Sequence, residues 1–309
     1  MNIWHIIPTT NPGGNEVFAK NLITNFPIKA IHTIFSTSNI DGLLSREFIR
    51  LGDLKKLFTK KSIKLIPRTL KVFQKQKPDA IIIHTFNISL IIFIIVAKLF
   101  KVRKVIIKVG NPPSSEFIFK LRIFLIVLRF LNIPLVFCSK YVLNEFKKIS
   151  VLPRNSTNIR NGCELKNIEL VDNMSDKSLI KDEKFSLTII SRLDIIKNHE
   201  ILIKAFLSIN NHNWQLNIVG DGENKDNLKD LVNKLKGNKK VKFLGSRNDV
   251  LRILSNTDIF AFSTTVKEGF GIVLIEALSM GIPIIASDVP ACREVLMDGK
   301  GGLLVPPEN

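Results

Sequence analysis

Glu268 and Glu276 lie eight residues apart in the segment Lys267 to Asp288, KEGFGIVLIEALSMGIPIIASD, with Gly269-Phe270-Gly271 directly after the first of them. Both carboxylates can accept hydrogen bonds from a ligand's hydroxyl groups, and the two glycines let the backbone approach that ligand without a Cβ in the way. Glu276 is the one charge in the apolar block Ile272 to Met280, which reads as a buried helix, and an unpaired carboxylate there is costly. It calls for a partner, and a ligand's hydroxyls would supply one. Glu268 sits in the loop at the same mouth.

The elements around these residues read as a βαβ unit. Asp258 to Thr264, DIFAFST, is an apolar run of strand length. The helix from Ile272 is stopped by Gly281 with Pro283 just beyond, and Pro283 to Ser287 is the next strand. In such a unit the loop after the first strand and the N-terminus of the helix face the crevice where open α/β sheets bind ligands. The free amides and positive dipole end of the helix favour an anion or sugar oxygens.

Strand-length apolar runs alternate with helical patterns along the 309 residues, which predicts an α/β protein of about two domains. Cys138, Cys163 and Cys292 are scattered without metal-ligand spacing, so neither a disulfide framework nor a zinc site is implied. The first residues, MNIWHIIPTTNPGG, lack the basic region and long apolar core of a signal peptide and read as a cytosolic first strand. Asn2 to Pro8 is that strand, the loop Thr9 to Asn15 holds Gly13 and Gly14, and a helix runs from Glu16 to about Phe26. Residues 43–78 read as helical and very basic, and Asp79 to Thr85 as a short buried strand ending at His84. In the second half, strands are expected at Phe185 to Ile190, Gln215 to Val219 and Val241 to Leu244. Arg192 and Lys197 follow the first of these, Gly220-Asp221-Gly222 the second and Gly245 the third.

This set of residues resembles the retaining nucleotide-sugar glycosyltransferases of family 4, the glycosyl transferases group 1, which have the GT-B fold. The glutamates match the E-x-x-x-x-x-x-x-E motif. Ser191-Arg192-Leu193 with Lys197 matches G-R-L-x-x-x-K-G, with Ser191 and Asn198 in place of the glycines, and Val219 to Gly222 gives V-G-D-G. The resemblance implies two Rossmann-like domains facing across a cleft, with domain 1–163 on the acceptor side and domain 164–309 binding the nucleotide sugar. The linker falls in Glu164 to Lys184, after an I-x-N-G-like segment, Ser156 to Gly162. By the same resemblance Arg192 and Lys197 hold the donor diphosphate and Glu276 the ribose. Glu268 with the backbone of Gly269, Phe270 and Gly271 meets the sugar. Gly13 and Gly14 come near the phosphates, Gly220 and Gly245 border the nucleotide, and His84 lies beside the donor sugar. Neither a cofactor nor a metal is expected, and no protein base is assigned, because in the family the leaving phosphate takes the acceptor's proton. Further C-terminal helices are implied after Pro307, which this sequence does not contain.

The donor would be a nucleotide-diphosphate sugar and the acceptor a glycan or lipid-linked molecule of cell-surface polysaccharide synthesis. Two other classes stay open: a nucleotide-sugar epimerase of the same fold, and a non-catalytic subunit of a polysaccharide-assembly complex. The net charge of +18 is uneven, with 26 Lys and Arg against 7 Asp and Glu in residues 1–160 and 19 against 20 in the rest. Such a first half suits an anionic membrane surface, or else a solvated Lys-rich face; no nucleic-acid motif accompanies it. Ile88 to Phe100 is too short to span a bilayer and reads as a core helix. Phe117 to Leu131 interleaves Lys120, Arg122 and Arg129 with apolar residues, as either an interfacial helix or a core helix with snorkelling arginines. Together these predict a cytoplasmic protein, peripheral on the inner face of the plasma membrane.

Overall fold

A computed structural model describes residues 1–38, 41–56, 65–163, 184–209 and 213–307. The chain divides into two compact units, Met1–Asn161 and Gly162–Asn309. The expected linker lies almost wholly outside the described residues.

The first unit is a parallel seven-stranded sheet. Its strands are β1 Asn2–Ile7, β2 Ile31–Ser36, β3 Asp53–Lys56, β4 Ala80–Ile83, β5 Lys104–Val109, β6 Leu135–Phe137 and β7 Thr157–Asn158, in the order β3-β2-β1-β4-β5-β6-β7. Ile3, Trp4, Ile6 and Ile7 of β1 have no exposed surface. That is why the strand reads as a continuous apolar run: a sheet covered on both faces leaves no outward positions for polar residues. Among the described residues six helices connect the strands: α1 Gly14–Thr24, α2 Ser45–Leu51, α3 Leu65–Lys75, α4 Ile91–Leu99, α5 Ile118–Phe130 and α6 Lys140–Ile149. Ser139 caps α6, its hydroxyl accepting from the Val142 amide at 3.1 Å.

The helical reading of residues 43–78 is corrected at Asp53–Lys56, which is the edge strand β3, paired in parallel with Thr33 to Ser36. Gly52 ends α2 in extended backbone. A short strand rich in Lys is a usual way of closing a sheet edge against further pairing, and in sequence it is hard to tell from an exposed helix face.

The second unit repeats the plan with six parallel strands: β8 Phe185–Ile190, β9 Trp214–Val219, β10 Val241–Gly245, β11 Ile259–Phe262, β12 Ile284–Ser287 and β13 Leu303–Val305, ordered β10-β9-β8-β11-β12-β13. Its helices are α7 His199–Ser208, α8 Lys225–Lys234, α9 Val250–Ser255, α10 Ile272–Ser279 and α11 Pro290–Val295. In each sheet the strand order reverses once, between β1 and β4 and between β8 and β11. At such a switch point neighbouring connections leave to opposite faces and open a crevice beyond the carboxyl ends of the strands.

Helix α5 divides cleanly. Leu121, Phe124, Leu125 and Leu128 are buried, while Phe119, Ile123, Ile126 and Phe130 are exposed, Phe130 by 89%. The exposed four follow the helical period and form one stripe. Among the described residues no helix is long and apolar enough to cross a membrane.

Candidate active site

The loops that leave β8 and β11 at the second switch point are joined along their length. The Thr265 amide donates to the Ile196 carbonyl at 2.9 Å, and the Ser263 hydroxyl donates to the Lys197 carbonyl at 2.7 Å. This brings Lys197 onto Glu268. The Lys197 ammonium pairs with Glu268 Oε2, the side chains being 16% and 9% exposed. The other oxygen, Oε1, accepts from the amides of Gly269 at 3.0 Å and Phe270 at 3.3 Å. Burial by itself raises a carboxyl pKa. Here the charge and hydrogen bond of Lys197, with the two amides, outweigh it and hold Glu268 below the ordinary carboxylate range. The site therefore keeps an ionised carboxylate inside the protein, with a cation against it.

Arg192 follows β8, its side chain 62% exposed and paired with Asp194 at 2.9 Å. Gly220 follows β9 with φ +136°, and a Cβ there would lie 1.9 Å from the Ser191 carbonyl oxygen. Only glycine fits where this turn presses on the Arg192 loop. The Gly220 amide donates to the Gly245 carbonyl at 2.8 Å, which ties the ends of β9 and β10 together. Gly271 caps α10 at φ +82°. Phe270 is buried.

Glu276 departs from expectation. It is half-buried rather than buried, because α10 packs chiefly through Leu274 and Ala277 and leaves the Glu276 side partly open. Its charge helps burial raise the pKa of the Cys163 thiol.

In the first unit the nominated residues also stand at strand ends. Gly13 is the N-cap of α1, in extended backbone, and Gly14 begins that helix. His84 follows β4 directly, with its side chain wholly enclosed. Its Nε2 lies 3.1 Å from His5 Nδ1, and His5 Nε2 lies 3.0 Å from His32 Nδ1. Lys108 on β5 donates to Asn15 at 3.2 Å and lies 4.1 Å above the Phe18 ring. Burial lowers its pKa to about 8, against the pull of Cys138 and Glu16. Close by, a cavity of about 360 Å³ is lined by Asn15, Thr85, Phe86, Gly110, Asn111 and Phe146 among others.

Thus Arg192, Lys197, Gly220, Gly245, Glu268, Gly269, Phe270 and Gly271 share the carboxyl edge of the second sheet, and Gly13, Gly14 and His84 that of the first. Sequence reasoning passed over Asp194, His199, His5, His32 and Lys108. His5, His32 and Lys108 each left a trace: a titratable residue inside an apolar strand, where a solvated side chain has no place. His199 meets the Ser191 hydroxyl at 2.9 Å, and burial, with Lys197 adding, lowers it to about 4.

Two Rossmann-like parallel sheets in one chain, with a cation and a carboxylate meeting at the switch point of the second, define a protein of the GT-B class. Residues 171–309 match the family model of glycosyl transferases group 1. The chain carries that match in its second unit. It is 31% identical over 258 residues to the uncharacterized glycosyltransferase MJ1059 of Methanocaldococcus jannaschii, covering 75% of this chain and 62% of that one. It is 32% identical over 164 residues, 53% of this chain and 43% of the relative, to the N-acetylgalactosamine-N,N'-diacetylbacillosaminyl-diphospho-undecaprenol 4-alpha-N-acetylgalactosaminyltransferase of Campylobacter jejuni. The chain thus spans less than two thirds of both relatives. Anabaena HepE, crystallised in complex with UDP-glucose, has the same fold: TM-score 0.84 at 22% identity, over 99% of this chain and 86% of that one.

Proposed function

We propose that this chain is a retaining glycosyltransferase. It moves a sugar from a nucleotide-diphosphate sugar to a glycan or lipid-linked acceptor in cell-surface polysaccharide synthesis. The observation that carries the reading is the buried Lys197–Glu268 pair at the switch point of the second sheet. When the glycosidic bond breaks, negative charge grows on the departing diphosphate. The exposed Arg192 fork and the Lys197 ammonium stabilise it where it develops, without calling on a metal. Glu268, held ionised, accepts hydrogen bonds from sugar hydroxyls, and the half-buried Glu276 meets the ribose. The acceptor belongs to the first unit, whose cavity has apolar Phe86 and Phe146 beside polar Asn15 and Asn111.

The lipid-linked acceptor is favoured over a soluble one by α5. Its stripe of Phe119, Ile123, Ile126 and Phe130 is exposed, and Lys120, Arg122 and Arg129 flank it in solvent. Aliphatic and aromatic side chains with cations beside them fit the headgroup boundary of an anionic bilayer. The undecaprenol-linked substrate named for the Campylobacter relative points the same way. Vesicles rich in phosphatidylglycerol are expected to sediment the chain at low salt and release much of it at high salt, as screening removes the charge attraction. Phe119→Ser/Phe130→Ser should abolish sedimentation. A wild-type chain that stays in the supernatant at low salt defeats the membrane part of the proposal.

The donor is tested by thermal shift with nucleoside diphosphates and nucleotide sugars. A ligand at about a hundred times its Kd stabilises by roughly 2.7 kcal/mol. One base series should shift the wild type, and Lys197→Met should lose most of that shift. Transfer is then followed with the best donor, the product keeping the donor's anomeric configuration. Absence of any shift across the panel would defeat the reading, and release of epimerised nucleotide sugar without transfer would replace it.

A further inference from the structure

The donor chemistry above leaves unused a row of three histidines in the core of the first unit. His5 is central in β1, His32 lies on the neighbouring β2, and His84 follows β4 on the other side, so adjacent parallel strands set the three rings side by side. His5 touches both of the others, at 3.1 Å and 3.0 Å. His5 and His84 have no exposed surface and His32 has 9%. At the inner end, His84 Nδ1 is buried without a hydrogen-bond partner among the described residues. An unpaired buried nitrogen costs stability and asks for a reason.

All three rings are neutral near pH 7. Burial lowers each of them, His5 to about 3, with His32 adding to the effect on His5, and His5 and Lys108 adding to that on His84. A neutral imidazole carries one N–H and one lone pair. Only two arrangements therefore satisfy both contacts. With protons on all three Nδ1 atoms, His32 donates to His5, His5 donates to His84, and His84 Nδ1 presents an N–H. With protons on all three Nε2 atoms every bond reverses, and His84 Nδ1 presents a lone pair.

We propose that His5 and His32 are positioning residues for His84: the three rings form a two-state imidazole chain that sets whether His84 Nδ1 gives or takes a hydrogen bond with a substrate hydroxyl. The inference rests on the proposed transferase function for the identity of that substrate. Passage from the first state to the second is balanced. His84 Nδ1 passes its proton to the substrate hydroxyl, which releases its own to solvent, His5 Nδ1 passes one to His84 Nε2, His32 Nδ1 passes one to His5 Nε2, and His32 Nε2 takes one from solvent. No ring is charged before or after.

The test labels the full chain with ¹⁵N-histidine and reads the protonated nitrogen of each ring from long-range ¹H–¹⁵N correlations. In the wild type the three rings should share one tautomer or one ratio of the two. His32→Leu, which removes a group that touches His5 and not His84, should still change the tautomer ratio of His84. His32→Asn, which returns an amide near the place of Nδ1, should restore it. Turnover should follow: kcat lowered by about tenfold or more in His32→Leu with donor KM unchanged, and recovered in His32→Asn. Opposite tautomers on neighbouring rings, or His84 signals indifferent to residue 32, overturn the proposal. So does a His84 tautomer that follows residue 32 while kcat does not. A chain without transfer activity would instead defeat the proposed function, and the spectra alone would then decide the two-state chain.

Discussion

Glu268→Ala is expected to lower the stability of the second unit by about 3–5 kcal/mol, the cost of leaving a mostly buried ammonium without its counter-charge. The loss exceeds that of an exposed pair because Lys197 and Glu268 are 16% and 9% exposed, so water cannot replace the missing partner. Lys197→Met should be similarly harmful, as it strands the carboxylate. The double variant Lys197→Met/Glu268→Leu should lose much less than the sum, because no buried charge is left unpaired. The chain has only two tryptophans, Trp4 in the first unit and Trp214 in the second. Denaturant unfolding in a Trp4→Phe background, followed by Trp214 fluorescence, therefore reports the second unit alone. Additive single losses would show that the pair is not coupled as described. The same pair makes stability depend on pH. The folded pKa of Glu268 is lowered, so its contribution is complete above the unfolded carboxylate range, near about 4.3, and is lost as pH falls through the lower folded value. Glu268→Ala should lack that acid-side slope.

Gly220→Ala is expected to cost roughly 3–5 kcal/mol, combining backbone strain with a clash that backbone must relieve. The added Cβ would stand 1.9 Å from the Ser191 carbonyl oxygen at φ +136°. Relief requires the Ser191–Arg192 loop to move, so nucleotide affinity should fall as well. Gly245→Ala is the control. It shares a positive φ, +70°, but a Cβ there meets nothing within 4 Å, so only the left-handed strain of about 1–2 kcal/mol applies. Equal losses for the two variants, measured by the same unfolding experiment, would refute the packing argument.

Much of the second unit was legible in the chain because its signals are local. Gly281 and Pro283 end α10, and an apolar run of strand length announces β11. Arg192, Lys197 and Glu268 all follow such runs, so the carboxyl edge of a parallel sheet is their only address. The first unit misled where two patterns share one composition. Asp53–Lys56 reads as an exposed helix face and is an edge strand; in the second unit, Glu276 reads as buried only if α10 is covered all round.

By itself, the sequence determined an α/β chain of about two units, the bounds of β1, β4, β8, β9, β10 and the β11–α10–β12 unit to within a few residues, and the family motifs at the strand ends. Period, capping and glycine placement act over a few residues, and one chain displays them in full. Tertiary structure alone decided who touches whom. Lys197 meets Glu268 across 71 positions, and His5 meets His84 across 79. These contacts exist because strand order reverses at β1/β4 and β8/β11, setting side by side strands that other elements separate in the chain. It also decided which face of α5 stays in water, since either face of that helix is apolar enough to pack. Burial is a property of neighbours, and the neighbours are chosen by the sheet.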